Sequence, residues 1–195
     1  EGVMTRTLTV KKGSGGSKFS PGWHTATIST AKYGDWNGTK FLDVCFEGYS
    51  DKMNMRVYAK EGKNGEEFAI GNIFRFANAG ISDGLEGGGG EVTIKLDDST
   101  EQLINKRLNI FLYKDGDYSR VLAQVAPVPF VNIVEEFTLD DVNYWKGRAE
   151  NFFVKFIKPK IVQTTQSSSP IDAEASIDEV IQAVNETKAG EELPF

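Results

Sequence analysis

The chain has 195 residues, of which 39% are hydrophobic and 26% charged, which is enough for one domain of ordinary size with extensions. No apolar run reaches the ~18 residues of a membrane-spanning helix. The single cysteine, Cys45, excludes an internal disulfide and a zinc site built on several thiolates. The polar start lacks the apolar segment of a signal peptide, so we expect an intracellular protein.

The net charge of −6 is confined to the end of the chain. Residues 161–195 hold seven acidic residues against one lysine, whereas residues 1–160 are neutral and begin with a basic stretch of Arg6, Lys11, Lys12 and Lys18. This asymmetry is typical of a body that faces nucleic acid and carries an acidic arm. The alternative is a solubilising tail on an unrelated domain.

The first half of the body has the pattern of three strands. Residues 1–20 form a basic arm with a flexible Gly-Ser joint. Residues 23–33, 41–49 and 53–59 then alternate as strands do, and Asn37-Gly38 is the strongest short hairpin signal. The residues expected to face the core are Ala26, Ile28, Leu42, Val44, Phe46, Met53, Met55 and Val57.

The second half changes period and then returns to strands. Residues 68–79 predict an amphipathic helix that ends near Gly80. The glycine-rich residues 84–90 predict a mobile loop, and residues 99–106 a short helical turn. A second hairpin follows, with strands at 107–114 and 118–125. Its predicted core residues are Leu108, Ile110, Leu112, Val121, Ala123 and Val125.

A C-terminal helix and a tail complete the pattern. Residues 139–156 predict a helix that Thr138 caps, with an apolar stripe of Val142, Trp145, Ala149, Phe152, Phe153 and Phe156. From Lys160 the composition predicts a linker, followed by a short helix, with its apolar positions at 177–184, that forms mainly when docked.

The predicted order is three strands, a helix and then two strands. This is the element order of an OB-fold, a five-stranded barrel. We therefore predict a mainly β protein with helices: an arm at 1–20, an OB-fold domain with a C-terminal helix at 21–160, and an acidic tail at 161–195. A generic β-rich α+β domain is the alternative.

The two hairpins fall where an OB-fold has its ligand-gripping loops. Aromatic rings can stack on bases and cations can meet phosphates, which are the contacts that single-stranded DNA offers in any sequence. A register shift of one residue would bury several of these rings instead. The candidate DNA-binding residues are Tyr33, Trp36, Lys40, Phe41, Arg56, Tyr58, Tyr113, Lys114, Tyr118 and Arg120.

Catalytic chemistry finds little support in the pattern. His24 is the only histidine and lies on the same strand face as Ala26 and Ile28, and Cys45 suits a small packed residue. Neighbouring acids on a strand point to opposite faces, so pairs such as Asp97-Asp98 make poor metal sites. We predict a protein that is not an enzyme and needs no cofactor or metal.

The chain ends in an aromatic, acidic tip. Its residues are Glu191, Glu192, Leu193, Pro194 and Phe195. The ring and the α-carboxylate of Phe195 form a two-point ligand for an apolar pocket with a basic rim. A frayed, solvated terminus is the alternative.

Two parts of the sequence resemble known families. Gly22-Trp23, Lys40-Phe41-Leu42 and the helix at 68–80 resemble phage single-stranded DNA-binding proteins of the OB-fold type, over roughly residues 20–130. The tip resembles that of bacterial single-stranded DNA-binding proteins, which ends Asp-Asp-Asp-Ile-Pro-Phe. This tail is less acidic and contains a helix-competent segment, so the likeness carries over best to Pro194 and Phe195.

The resemblance implies a viral protein of the host cytoplasm. It implies that this protein binds single-stranded DNA during replication, recombination or repair and recruits proteins of those processes through its tip. A homo-oligomer is compatible with the pattern. Two alternatives stay open: a virion structural or assembly protein with a β-barrel domain, and a nuclease or other DNA-processing enzyme.

Overall fold

The computed structural model describes residues 7–10 and 19–166, which fold around one antiparallel sheet. The first elements are β1 (Gly22–Trp36), β2 (Thr39–Phe46), β3 (Met55–Tyr58), α1 (Ala69–Phe76), β4 (Ile81–Glu86) and β5 (Val92–Leu96). They are followed by β6 (Arg107–Asp115), β7 (Tyr118–Val121), β8 (Phe130–Val131), β9 (Glu136–Phe137) and α2 (Leu139–Phe152). A π-helical segment (Phe153–Ile157) then leads into α3 (Lys158–Gln166).

The main sheet has the strand order β3-β2-β1-β6-β7, with the 15-residue β1 at its centre. The first half of β1, up to Thr27, pairs with β6, and the half from Thr30 pairs with β2. A register shift between Ile28 and Thr30 separates the two halves, and such a bulge bends and twists a strand. Among the described residues β3 and β7 do not pair, so the sheet is not closed.

One face of the sheet carries the core. Strand alternation places every second side chain there, and α1 buries Ile70, Ile73 and Phe74 in the same cluster. The predicted core residues of the first three strands are all buried, although Met53 lies in a 3₁₀ turn ahead of β3. Leu108, Ile110 and Leu112 are fully buried as well.

The C-terminal helix covers part of the opposite face. The ring of Phe153 lies 5.2 Å from the rings of both Phe111 and Tyr113 on β6, measured between centroids. Trp23 on β1 donates a hydrogen bond of 2.6 Å from Nε1 to Glu150. Helix α2 begins with the predicted cap, because Thr138 and Asp141 form a reciprocal capping box.

Several local predictions are confirmed. Asn37 and Gly38 both have positive φ angles, 51° and 79°, as the tight turn between β1 and β2 requires. Helix α1 ends before Gly80, and a 3₁₀ turn forms at Thr100–Leu103. The hairpin of β6 and β7 is present, but β7 ends at Val121, so Ala123 is exposed instead of facing the core.

Two segments differ from their predictions. Residues 84–90 are not simply a loop, since β4 and β5 form a hairpin whose turn is Gly87–Gly90. Gly84 belongs to the paired part, where an added Cβ would lie 3.0 Å from a side-chain carbon of Val134. Residues 160–166 are helical rather than a linker, because α3 continues directly from the π-helical segment through Pro159.

Candidate nucleic-acid interface

Strand register decides which candidate residues share a face. Phe41 lies opposite Gly34 on β1 and Tyr58 on β3, and Asp43 lies opposite Lys32 and Arg56. Because opposed residues in an antiparallel pair project to the same side, these side chains form one surface, away from the core. We call it the open face, and it comprises Lys32, Gly34, Trp36, Phe41, Asp43, Arg56 and Tyr58.

The centre of the open face is a layered aromatic and cationic stack. The Arg56 guanidinium carbon lies 3.9 Å from the centroid of the Phe41 ring, and the Tyr58 ring meets Phe41 edge-on at 5.7 Å. Gly34 makes room for this arrangement, since a Cβ there would collide with the Phe41 ring. Phe41 is therefore half-buried beneath Arg56, and the guanidinium plane is the outer layer of the stack.

Asp43 fixes that guanidinium in place. Arg56 donates two hydrogen bonds to the Asp43 carboxylate, of 2.7 and 2.8 Å. These bonds are the main reason that the pKa of Arg56 lies above its usual range, against the opposing effect of burial. Bidentate pairs fix geometry as well as charge, so Arg56 is held over Phe41 while much of its charge is balanced.

Trp36 projects from the same face at the end of β1. It precedes the Asn37-Gly38 turn, and 42% of its surface is exposed. The turn is held by a hydrogen bond of 3.0 Å from the Gly38 amide to the Asp35 carboxylate. A large ring on a defined turn, rather than on a loose loop, presents a stacking surface at little cost in ordering.

A depression of about 470 Å³ adjoins the stack. Its walls combine two cations, two carboxylates and small polar groups, and its lining residues are Thr30, Lys32, Asp43, Cys45, Asp51, Asn54 and Arg56. Sequence inspection did not single out Lys32, Asp43 or Asn54. Counting the register back from the Asn37-Gly38 turn places Lys32 opposite Asp43, which is the signal that identifies this part of the face.

Tyr33 and Lys40 lie on the opposite side of the same strands. Tyr33 pairs with the buried Leu42 and donates a hydrogen bond of 2.8 Å to the backbone carbonyl of Asp98. Burial, followed by the negative charges of Asp98 and Glu67, raises the pKa of Tyr33 to about 12. This tyrosine ties β1 to the segment that follows β5.

Of the candidate DNA-binding residues on the β6–β7 hairpin, the C-terminal helix covers one and the others are exposed. Tyr113 lies beneath Phe153, and burial raises the pKa of its hydroxyl. Tyr118 is 72% exposed. Arg120 is exposed as well, although its Nε donates a hydrogen bond of 2.7 Å to Asp115, and Lys114 donates one of 2.7 Å to Ser119.

The remaining candidate groups are the single histidine and the acidic side chains. His24 is half-buried and donates from Nε2 to the carbonyl of Ser20, at 2.6 Å. Within residues 7–10 and 19–166, no three His, Cys, Asp or Glu side chains gather in a way that could hold a metal ion. None of the described helices is long and apolar enough to cross a membrane. The predicted partner-binding residues Glu191–Phe195 lie outside the described residues.

Comparison with known proteins leaves the surface itself as the guide to function. No protein family, no curated protein and no solved structure was found to match the chain.

Proposed function

We propose that this protein binds single-stranded DNA through the open face, without strong sequence preference and without catalysing a reaction. The observation that carries the proposal is the Phe41–Arg56 stack, flanked by Tyr58 and next to the exposed ring of Trp36. Planar groups on one solvent-facing surface of a sheet suit unpaired bases, since every base has a π-face.

The strand arrangement supports an OB-fold as the scaffold. An OB-fold is a partly open five-stranded barrel that binds oligonucleotides on its second and third strands and between two loops. Here the open face lies on β1, β2 and β3, and the order β3-β2-β1-β6-β7 keeps the long first strand at the centre. In this proposal the β4–β5 hairpin is an insertion between the helix and the fourth barrel strand.

Stacking, more than charge, would supply the affinity of the open face. Each stacked base contributes about 1–3 kcal/mol, and the exposed plane of Arg56 can add a cation–π contact. The cations Lys32 and Arg56 stand beside Asp43, so few phosphates can be neutralised there. Two phosphate contacts correspond to a salt slope of about −1.4 on single strands, well below the slope of a basic groove.

The tip supports a second part of the proposal. Pro194 and Phe195 end a tail that carries the whole net charge of the chain, and their likeness to bacterial tips suggests recruitment of replication, recombination or repair proteins. On this basis we assign the protein to viral DNA metabolism inside the host cell, with the DNA held by the body and partners bound by the tail.

The decisive experiment is fluorescence anisotropy with labelled oligo-dT, a duplex and an RNA of equal length over a salt series. We expect a preference for the single strand, and we expect Trp36→Ala to weaken binding about five- to thirtyfold, the equivalent of 1–2 kcal/mol for a lost stack. Tyr144→Ala is the matched control, because Tyr144 is an aromatic residue on α2 that is 55% exposed and lies outside the open face.

Three results would speak against the proposal. Equal binding of duplex and single strand would remove its basis, and an equal loss in the Tyr144 variant would show that Trp36 has no special role. A complete lack of oligonucleotide binding would instead favour a structural or assembly protein of a virion.

A further inference from the structure

The C-terminal helix carries more net positive charge than the open face. From Asn151 to Gln166 the chain contains three lysines and no acidic residue, and the structure makes this whole stretch helical. Lys155 and Lys158 are exposed, and neither forms an ion pair with a described residue. Lys155 does contact an aromatic ring, with its Nζ 5.3 Å from the centroid of Phe156.

The helix packs against β6, the first strand of the β6–β7 hairpin, close to these lysines in sequence. It first contacts Trp23 on β1 through Glu150, and three residues later Phe153 rests on Tyr113 of β6. It therefore runs across the sheet from β1 towards the hairpin. At 1.5 Å per helical residue, Lys158 lies within about 8 Å of Phe153 along the helix axis.

The π-helical segment fixes this end of the helix. Pro159 has no amide hydrogen to donate to the carbonyl four residues earlier, and its ring crowds that carbonyl. The preceding turn widens, so that the Lys158 amide bonds to the carbonyl of Phe153 instead. The two lysines thus lie on an ordered helix that Phe153 anchors to the sheet, and not on a loose linker.

We propose that Lys155 and Lys158 form a second contact site for single-stranded DNA, which binds the phosphate backbone beside the β6–β7 hairpin. This inference rests on the proposed function. The arginines of the open face and the hairpin, Arg56 and Arg120, are each held by an aspartate. The two lysines are compact, hydrated charges with no such partner among the described residues, which suits a moving, flexible phosphate chain. The exposed ring of Tyr118 offers a base a place to stack nearby.

The acidic tail is the competing occupant. Its first carboxylate, Asp172, follows Lys158 by 14 residues, so the lysines could attract their own tail. The DNA assignment is favoured because Phe153, two residues before Lys155, packs on Tyr113 of an aromatic and cationic hairpin, whereas a tail would need no base-stacking surface.

The test uses the full-length double variant Lys155→Gln/Lys158→Gln, with Lys63→Gln/Lys95→Gln as the matched control. The control removes the same charge from two exposed lysines on the turn after β3 and on β5. Binding of labelled oligo-dT of about 6 and about 30 nucleotides is measured from 50 mM salt upwards; one OB-fold occupies about 4–16 nucleotides. Equal urea midpoints establish that the variants fold alike.

We expect the helix variant to lower the salt slope on the long oligonucleotide by about 1.4, or 0.7 for each lysine. At 50 mM salt its affinity should fall roughly tenfold or more. The loss should be smaller on the short oligonucleotide, which cannot reach both sites. The control should change the slope by much less.

The outcomes separate this inference from the proposed function. Suppose that the wild type binds single strands and that Trp36→Ala weakens this binding. If the helix variant nevertheless matches its control, only the second site is refuted. Tighter DNA binding by the helix variant would show that the lysines hold the acidic tail, and would also overturn the inference. No binding by the wild type would refute both.

Discussion

At the scale of single residues, Gly34 determines where the Phe41 ring can lie. The Phe41 ring leans across β1 over Gly34, and Arg56 covers its outer side. A side chain at position 34 would lift the ring into the space of the guanidinium. A glycine inside a strand normally costs stability. Here the missing side chain leaves the space that the Phe41 ring occupies.

Gly34→Ala should therefore lower stability, by about 1 kcal/mol, because overpacking outweighs the gain in backbone entropy. Gly147→Ala is the matched control, since a Cβ on this helical residue would meet nothing within 4 Å. That substitution should raise stability by about 0.8 kcal/mol. Urea denaturation of both variants gives the two signs directly.

The same pair also tests function. Gly34→Ala should weaken oligo-dT binding, because the Phe41–Arg56 stack is disturbed, while Gly147→Ala should leave it unchanged. A stabilised Gly34→Ala protein with wild-type affinity would show that the ring moves aside freely and that the stack has no role.

At the scale of elements, the strands of the main sheet and their tight turns were predictable, and the β4–β5 hairpin was not. Alternation and the Asn37-Gly38 turn are local properties, and they identified β1, β2 and the hairpin of β6 and β7. The β4–β5 hairpin was not predicted because its glycines interrupt the alternation that marks a strand. Gly84 has no side chain, and the side chain of Val134 occupies the space next to it. That contact joins residues 50 positions apart, which local sequence pattern cannot show.

The candidate interface was predictable to the same extent. The alternation of side chains along a strand correctly places Phe41, Arg56 and Tyr58 on one face. It does not show which part of an outward face a helix covers. Tyr113 and Phe41 have equivalent patterns, and only the docking of Phe153 distinguishes them. Tyr33 and Lys40 lie near the same turn as Trp36, but the strand register puts them on the opposite side from Phe41.

Tyr33 helps to hold the β4–β5 hairpin to the main sheet. Its hydroxyl bonds to the Asp98 carbonyl just after β5, and its pKa of about 12 lies above the usual 10. Between pH 10 and 12 the unfolded chain therefore loses a proton that the folded chain keeps. Stability from this group is fully present below pH 10 and is lost as the pH rises through 12.

Tyr33→Phe should show both effects in urea denaturation. At pH 8 the variant should be less stable by about 1 kcal/mol, the usual value of a hydrogen bond. From pH 10 to 12 its stability should fall less steeply than that of the wild type. Tyr113→Phe is a useful comparison, because Tyr113 also has a raised pKa but lies on β6 beneath Phe153. Parallel pH curves for Tyr33→Phe and wild type would contradict this assignment.

At the scale of the whole molecule, charge is separated along the chain. Residues 167–195 carry the entire net charge of −6, directly after the lysines of the C-terminal helix. A tethered segment reaches an effective concentration of order mM. Even weak attraction between the tail and the cationic surfaces of the body would then compete with DNA.

Removal of residues 167–195 should tighten oligo-dT binding at low salt, by roughly twofold or more, and the difference should vanish as salt screens the charges. The cut falls after Gln166 because α3 continues to that residue, so the helix and its lysines are kept. Anisotropy titrations at 50 and 300 mM salt measure both parts of the prediction.

Two full-length controls assign the cause. Replacement of the seven tail carboxylates by amides keeps the length of the tail and should reproduce the deletion if charge is responsible. Removal of Phe195 alone should leave DNA binding unchanged, since the tip is proposed to bind partners and not to cover the DNA-binding surfaces. If the deletion binds DNA no more tightly than the wild type at 50 mM salt, the tail does not compete. Its acidity then concerns partner recruitment only, and the lysines of the C-terminal helix are available to DNA in the intact protein.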